Sequence, residues 1–216
     1  IVTDPRGNLW LGTERGIVQY DQKTGFKNYQ CITKQGVVNE NVQVLLKDED
    51  GEIWAATFSN GHLYKYHFDK DRFEVFDEWL NDLNCLLDDK KGQLWAGNYH
   101  EIIKINKKTK AVRRYNIDKP IRALYIDRKG SFWIGTEGRG LLKFDQKTEK
   151  ISASYSTDDG LNNNSVLNIL EDQSGNLWLS TFNGLSKFNP KTKRFTRYET
   201  SDGLQSNEFS YGAALK

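Results

Sequence analysis

The sequence contains no methionine and only two cysteines, Cys31 and Cys85, which lie 54 residues apart. No C-x-x-C pair occurs, and the three histidines do not have the spacing of metal ligands, so we expect no metal site and no cofactor. No segment approaches the run of about 18 apolar residues that a membrane helix needs. These absences leave a globular, repeat-built chain as the class to consider.

Neither sign of charge dominates the sequence. Lysine and arginine number 31 and aspartate and glutamate number 29, so the net charge is +2 at pH 7, and no long run of one sign occurs. Because binding to nucleic acid or a membrane surface needs a basic patch, we expect neither partner for this chain. The chain begins at Ile1 without a signal-peptide pattern, so we expect it to be a piece of a longer protein.

An internal repeat is the strongest signal in the sequence. Five tryptophans follow the pattern Gly-x-x-Trp and are separated by 44, 41, 38 and 45 residues, a mean of 42. They are Trp10, Trp54, Trp95, Trp133 and Trp178. Trp79 is the one tryptophan outside this frame, so we expect it to lie exposed in a connecting loop.

Each repeat predicts four short strands. In the fifth repeat, apolar runs at 166–170, 177–181, 185–188 and 195–198 are separated by turns rich in Gly, Asn and Asp. No stretch has a sustained helical period, so little helix is expected. A four-stranded sheet with two apolar faces is buried when it stacks against similar sheets, as the blades of a β-propeller do. We therefore predict an all-β fold of radially arranged propeller blades, with the five repeat tryptophans in equivalent, mostly buried sites.

Two propeller families fit the repeat incompletely. A period of 42 residues lies in the WD40 range, but none of the five tryptophans is followed by the Asp of the WD dipeptide. A sialidase-type Asp-box propeller shares Asp-x-x-Gly-x-x-Trp. The Ser-x-Asp spacing of that box is not kept, however, and neither an arginine triad nor a tyrosine nucleophile is identifiable.

The repeats resemble instead the two-component regulator propeller repeat, whose consensus is similar to D-x-x-G-x-L-W-x-G-T-x-x-G-L-x-K-Y-D. Residues 172–189 read DQSGNLWLSTFNGLSKFN, and residues 127–145 read DRKGSFWIGTEGRGLLKFD. The family's "DGL" link occurs within 157–161 and 201–204, and the tail SNEFSYGAAL at 206–215 resembles the opening of its last blade. The third repeat departs most, because Asn98 replaces the threonine and no Gly-Leu follows.

This resemblance implies the periplasmic sensor part of a hybrid two-component system of the kind common in gut Bacteroidetes. Such sensors bind oligosaccharides released from glycans and regulate polysaccharide-use genes through a histidine kinase and a DNA-binding regulator. The resemblance also implies a neighbouring propeller and membrane-proximal domains in the same chain, and a homodimer of the intact receptor. Because the family's propellers have seven blades, five repeats imply part of one propeller, although five blades can also close a ring.

The repeat spacing also predicts the domain boundaries. We expect blades at about 1–30, 40–77, 82–116, 120–156 and 164–199. Residues 205–216 are expected to begin a further blade or to close the first blade as an inner strand.

Ligand-binding residues are expected in the loops at one rim of the blades, before each first strand and after each tryptophan strand, because loops on a rigid scaffold carry function. Arginine can bind uronate or sulfate groups, and tyrosine or tryptophan can stack on a sugar ring. The alternative is that each asparagine only stabilises a turn and that each arginine is only exposed to solvent. The candidates are Arg15, Trp79, Tyr99, His100, Arg139 and Asn183.

No Ser-His-Asp set and no pair of catalytic carboxylates can be argued from their positions, so we predict no catalytic residue and no enzyme activity. Two other hypotheses stay open. One is a carbohydrate-active propeller enzyme of the lyase or sialidase type, and the other is a propeller that binds another protein.

Overall fold

The structure is a computed structural model, which describes residues 1–39, 41–58 and 61–214. The chain divides into two compact units. Unit 1 comprises Ile1–Asn98 and Ile103–Arg113, and unit 2 comprises Tyr99–Ile102 and Arg114–Lys216.

The strands form five four-stranded sheets, in which strands that are adjacent in sequence are neighbours, and one two-stranded hairpin. Sheet 1 contains β1 (Val2–Thr3), β2 (Leu9–Thr13), β3 (Gly16–Asp21) and β4 (Gly25–Tyr29). The hairpin contains β5 (Cys31–Ile32) and β6 (Val38–Asn39). Sheet 2 contains β7 (Val42–Lys47), β8 (Ile53–Thr57), β9 (Leu63–His67) and β10 (Arg72–Asp77).

The remaining three sheets follow the same order. Sheet 3 contains β11 (Cys85–Asp88), β12 (Gln93–Gly97), β13 (Glu101–Asn106) and β14 (Val112–Asn116). Sheet 4 contains β15 (Ile121–Ile126), β16 (Phe132–Thr136), β17 (Leu141–Asp145) and β18 (Lys150–Tyr155). Sheet 5 contains β19 (Val166–Glu171), β20 (Leu177–Thr181), β21 (Leu185–Asn189) and β22 (Arg194–Tyr198). The prediction of an all-β chain with four short strands in each repeat is confirmed.

The Asp-x-x-Gly-x-x-Trp pattern builds the turn between the first two strands of each repeat. In the first repeat, the carboxylate of Asp4 accepts hydrogen bonds from the backbone N–H of Arg6 and Asn8, and its Oδ2 accepts one from Nε1 of Trp10 at 3.0 Å. Gly7 completes the turn with φ of 89°, a left-handed conformation that glycine adopts without steric cost. The same Asp-to-Trp bond occurs at Asp48–Trp54, Asp127–Trp133 and Asp172–Trp178.

The lysine of the repeat consensus has a structural role. In the third strand of the repeat, it places its Nζ 5.2 to 5.6 Å from the centre of the tryptophan ring, within the range of a cation–π interaction. The four pairs are Lys65–Trp54, Lys104–Trp95, Lys143–Trp133 and Lys187–Trp178. These cations therefore cover the blade tryptophans, and they are not candidates for ligand binding.

The "DGL" links form the only helical turns among the described residues, two 3₁₀ turns of three residues each. At Thr157–Asp159, the side chain of Asp159 accepts from the backbone N–H of Ser156, and Gly160 follows with φ of 108°. Leu161 is then fully buried. This link thus places the capping residue Asp159, the left-handed Gly160 and the core residue Leu161 in three successive positions.

Packing between neighbouring sheets buries the tryptophans. Trp10 of sheet 1 lies with its ring centre 4.6 Å from that of Tyr66 and 5.8 Å from that of Phe73, both in sheet 2. Trp133 of sheet 4 lies 5.7 Å from Phe188 of sheet 5. The first four repeat tryptophans are at most 1% exposed, and Trp178 in sheet 5 is partly buried, as the prediction of mostly buried sites requires. Trp79 lies in the loop after β10 and is 82% exposed, which confirms the prediction for it.

Residues 205–214 do not form the inner strand expected for 205–216, and residues 215 and 216 lie outside the described residues. Single hydrogen bonds attach this segment to sheet 5: Phe209 N–H donates to Thr181 O, and the Asn168 amide donates to Ser210 O, both at 3.3 Å. A strand needs a continuous ladder of such bonds, and this segment has none within the described residues. The blade boundaries themselves stay predictions.

A carboxylate between two tyrosines joins sheets 1 and 2. Oδ1 of Asp71 accepts hydrogen bonds from the hydroxyls of Tyr29 at 2.7 Å and Tyr66 at 2.6 Å, and Oδ2 forms an ion pair with Lys27. The hydrogen bond from Lys27, followed by those from Tyr66 and Tyr29, lowers the pKa of Asp71 to about 2. The carboxylate is therefore ionised in the folded protein far below neutral pH.

This network predicts an acid-dependent loss of stability. A lowered pKa stabilises the fold above the unfolded pKa of about 3.9, and this contribution is lost as the pH falls towards about 2. We expect Asp71→Asn to flatten the dependence of unfolding free energy on pH between about 4 and 2, measured by urea denaturation at each pH. The exposed turn residue Asp69 supplies the control, Asp69→Asn. Equal slopes for Asp71→Asn and the unmodified chain would contradict the assignment.

Candidate rim site

The loops that were expected to carry the ligand site lie at one end of the strands. In sheet 4, Ile121 at the start of β15 pairs with Thr136 at the end of β16, and in sheet 5, Val166 pairs with Thr181 in the same way. The segment before each first strand and the segment after each tryptophan strand therefore lie at the same end of the strands. The structure supports this part of the sequence argument for both sheets of unit 2.

Two of the predicted residues belong to unit 1. Arg15 is exposed in the turn between β2 and β3, where its backbone N–H donates to Oγ1 of Thr13 at 3.1 Å. Trp79 is exposed after β10, and its backbone N–H donates to Oδ1 of Asp77 at 2.7 Å. These bonds shape the two turns and leave both side chains accessible to solvent.

The other four predicted residues belong to unit 2. His100 and Arg139, both exposed, meet at Ile117: the carbonyl of His100 accepts from the Ile117 N–H at 2.7 Å, and Nη1 of Arg139 donates to the Ile117 carbonyl at 3.3 Å. Asn183 is exposed, and its backbone N–H donates to Oγ1 of Thr181 at 3.0 Å. Tyr99 is half-buried and lies beside a residue that the sequence argument did not select.

That residue is Arg122, which is the centre of a cluster of five side chains. Its guanidinium lies 5.6 Å from the ring centre of Tyr99 and 4.5 Å from that of Tyr211. Nε and Nη2 of Arg122 contact Oε2 of Glu137 at 2.7 and 2.6 Å, and the hydroxyl of Tyr211 donates to the same oxygen at 3.2 Å. Phe182 meets Tyr211 at 5.7 Å with the rings nearly perpendicular. We call Tyr99, Arg122, Glu137, Phe182 and Tyr211 the rim cluster.

A β-bulge contributes to the position of Arg122. The register of β15 against β16 shifts between Ile121 and Ala123, so Arg122 is the extra residue of the inner strand. Bulges re-aim side chains and are frequent next to functional sites. The sequence did contain a signal, because Arg122 is the one charged residue in the otherwise apolar run from 121 to 126.

The rim cluster is close to neutral in charge. Glu137 balances the guanidinium of Arg122, whose side chain is only 13% exposed. Burial is the main reason why the pKa of Tyr211 is raised above its ordinary value, and the carboxylate of Glu137 adds to the shift. The Tyr211 hydroxyl is therefore a hydrogen-bond donor at neutral pH.

The rings of the rim cluster are partly open to solvent. Tyr211 is 49% exposed and Phe182 is 37% exposed, although both are large aromatic side chains. Exposed aromatic rings beside a few polar groups are a common feature of binding sites. The rim cluster thus combines an open aromatic surface with a paired arginine and glutamate.

A groove of about 350 Å³ in the same unit is lined mostly by apolar residues. Its lining includes Leu170, Trp178 and Leu185 of sheet 5 and Phe209 and Ala214 of the tail. Trp178 is the equivalent of Trp133, which packs against Phe188 of the next sheet. The groove therefore has the composition of a face between two sheets, and we do not assign a ligand to it.

Comparison with known proteins agrees with this fold. The family model described as two component regulator propeller matches residues 117–138 and 160–183. A protein named histidine kinase P4 from Formosa agariphila is 28% identical over 230 residues, which cover 96% of this chain and 17% of that protein. The chain thus spans less than a fifth of the length of this relative.

Two solved structures extend the comparison. The first is described as the extracellular domain of hybrid two-component system BT3049 from B. thetaiotaomicron. It has a TM-score of 0.82 and 23% identity, over 96% of this chain and 29% of that one. The second, virginiamycin B lyase from Staphylococcus aureus, has a TM-score of 0.72 and 12% identity, over 92% of this chain and 68% of that one. At these identities the likeness concerns the fold.

The five four-stranded sheets and these neighbours define an all-β protein of the β-propeller class. The stretches 117–138 and 160–183 match the two-component regulator propeller model, which confirms the resemblance seen in the sequence. Arg122 and Glu137 lie in the first matched stretch, and Phe182 lies in the second.

Proposed function

We propose that this chain is the ligand-sensing propeller of a hybrid two-component receptor, exposed on the periplasmic side of the membrane. In this proposal it binds oligosaccharides derived from glycans and thereby regulates genes for polysaccharide use. A neighbouring propeller and membrane-proximal domains of the same chain are its partners, and the intact receptor is a homodimer.

The observation that carries the proposal is the rim cluster, three of whose five residues lie in the stretches that match the regulator propeller model. Tyr211 and Phe182 offer rings on which a sugar can stack, and they lie beside the hydrogen-bonding groups of Arg122 and Glu137. The likeness to the extracellular domain of a hybrid two-component system and to a protein named as a histidine kinase supports a sensory role. No helix among the described residues is long and apolar enough to cross a membrane.

In a sensor of this kind, ligand binding shifts the receptor between two arrangements for which the ligand has different affinities. Reversible binding on an open rim suits this role, because the ligand has to leave when its concentration falls. The kinase and regulator of the intact receptor then transmit the change.

The proposal is tested by calorimetry with a panel of glycan oligosaccharides, both on this chain and on the extracellular region that contains it. We expect at least one oligosaccharide to bind. We also expect Arg139→Ala and Tyr211→Ala, both in unit 2, each to weaken that binding about tenfold, or about 1.4 kcal/mol. If a glycan binds and neither substitution changes its affinity by more than about 0.5 kcal/mol, these two residues are not part of the site.

A propeller enzyme is the second candidate, and the fold likeness to virginiamycin B lyase is the observation that favours it. Incubation of the same oligosaccharides with the protein, followed by mass spectrometry, separates the two functions. Cleaved products would support the enzyme. Binding of a peptide or protein in place of every glycan would support a protein-interaction propeller.

A further inference from the structure

The ion pair between Arg122 and Glu137 leaves one hydrogen-bond donor of Arg122 and one acceptor of Glu137 available. All contacts of Glu137 with Arg122 and Tyr211 end on its Oε2, and Arg122 uses Nε and Nη2 for them. Among the described residues, neither Nη1 of Arg122 nor Oε1 of Glu137 forms a hydrogen bond, and both atoms are open to solvent. A donor and an acceptor thus remain available side by side at the rim.

The aromatic rings restrict what can approach these two atoms. One face of Tyr211 is covered by the guanidinium of Arg122 at 4.5 Å, and its ring meets that of Phe182 at 82°. Both rings are partly exposed, so they form a corner of aromatic surface beside the polar atoms. An apolar ring face can pack on this corner while its hydroxyl groups reach Arg122 and Glu137.

We propose that the rim cluster selects neutral sugar rings and rejects acidic ones. This inference rests on the proposed function and names the class of its ligand. Each hydroxyl of a vicinal diol can both donate and accept, so one hydroxyl can accept from Nη1 of Arg122 while its neighbour donates to Oε1 of Glu137. The C–H face of the same sugar stacks on Tyr211 and Phe182.

An acidic sugar is disfavoured at the rim cluster by electrostatic repulsion. A uronate or sulfate group that approaches Arg122 is repelled by the carboxylate of Glu137, which already takes up Nε and Nη2 of the guanidinium. Glu137 is therefore the residue that sets the charge preference. Without its charge, the same guanidinium would become a site for anions.

The experiment compares matched neutral and uronic-acid oligosaccharides of equal length by calorimetry on this chain. We expect a neutral oligosaccharide to bind with an affinity that changes less than about twofold between low and high salt, since no net charge is exchanged. We expect Tyr211→Ala to weaken it at least about tenfold. Phe26→Ala, at an exposed aromatic residue of unit 1, is the matched control and is expected to have no effect.

Glu137→Gln tests the charge preference itself. We expect this variant to bind the uronic-acid oligosaccharide at least about tenfold more tightly than the unmodified chain does, in a salt-dependent way. We expect its affinity for the neutral oligosaccharide to change less than about threefold. Tyr211→Phe, which keeps the ring and removes its bond to Glu137, is expected to retain the preference for neutral sugars, and circular dichroism checks that each variant is folded.

The outcomes separate this inference from the proposed function. If the unmodified chain binds the uronic-acid oligosaccharide more tightly than the neutral one, the inference is wrong and the sensing function stands. If a neutral sugar binds and Tyr211→Ala leaves its affinity unchanged, the rim cluster is not the site. If no oligosaccharide of either kind binds, the proposed function itself is overturned for this chain.

Discussion

Replacement of Lys107 by methionine is expected to lower the free energy of unfolding by about 3 to 5 kcal/mol, the usual cost of removing one partner from a buried ion pair. Nζ of Lys107 lies 3.0 Å from Asp48 Oδ2, 2.9 Å from Asp50 Oδ2 and 3.3 Å from Asp88 Oδ1. The side chains of Asp48 and Asp88 are 1% and 6% exposed. The substitution leaves these two buried carboxylates without their cation.

The dependence of this contribution on pH has a definite sign. Burial acts to lower the pKa of Lys107, but the carboxylates of Asp50 and Asp48 outweigh it, so the pKa is raised above its ordinary value. A raised lysine pKa stabilises the fold fully below the unfolded pKa of about 10.4, and this stabilisation is lost only as the pH rises through the folded pKa. The full loss is therefore expected at neutral pH.

Urea denaturation of Lys107→Met at pH 7 measures the effect. The control is Lys108→Met at the neighbouring exposed position, for which we expect a change within about 0.5 kcal/mol. Asp88→Asn in the Lys107→Met background is expected to recover part of the loss, because it removes one of the uncompensated charges. A loss of less than about 1 kcal/mol for Lys107→Met would show that water screens these carboxylates.

Gly140→Ala is expected to cost more than about 4 kcal/mol or to prevent folding. Gly140 has φ of 74°, and a Cβ at this position would lie 2.1 Å from the carbonyl oxygen of Tyr155 on the neighbouring strand β18. The oxygen belongs to the backbone, so it cannot rotate away as a side chain can. The start of β17 would have to move away from β18, where Leu141 pairs with Tyr155. Such a movement would also strain the hydrogen bond from Gly140 N–H to Asn164 O at 2.7 Å.

The same loop supplies a matched control. Gly138 has a similar φ of 93°, but the nearest atom to its added Cβ is Cδ of Lys119 at 4.0 Å. Gly138→Ala therefore measures the cost of the left-handed backbone alone, which we expect to be about 1 to 2 kcal/mol. Thermal unfolding of both variants checks the difference between them. Equal losses would show that backbone conformation, and not the contact with Tyr155, is what requires glycine at 140.

The strands of each repeat were predictable because their causes are local. In sheet 5, the predicted runs 166–170, 177–181, 185–188 and 195–198 differ from the observed strands by at most one residue at each end. Short apolar runs between glycine and asparagine turns are sufficient to specify such hairpins. The hairpin of β5 and β6 was not predicted, because the segment from 31 to 39 lacks the apolar alternation of the repeats.

The candidate site was predictable only in part. The rim loops and Tyr99 followed from the order of strands within a repeat, whereas Arg122, Glu137, Phe182 and Tyr211 did not. Arg122 was missed because a strand residue is counted as inward or outward by alternation, and the bulge at Ile121 breaks that alternation.

The sequence by itself determined the repeat and its turns, because the hydrogen bonds that Trp10, Trp54, Trp133 and Trp178 donate to the Asp of their own turns span only six residues. The tertiary structure alone decided which distant charges meet. Lys107 reaches Asp48 across 59 residues, and Tyr211 reaches Glu137 across 74. Such contacts depend on how whole sheets and the tail pack, and many different partners are compatible with the same local pattern. Local chemistry therefore specified the blades, and packing specified the ion pairs and the rim cluster.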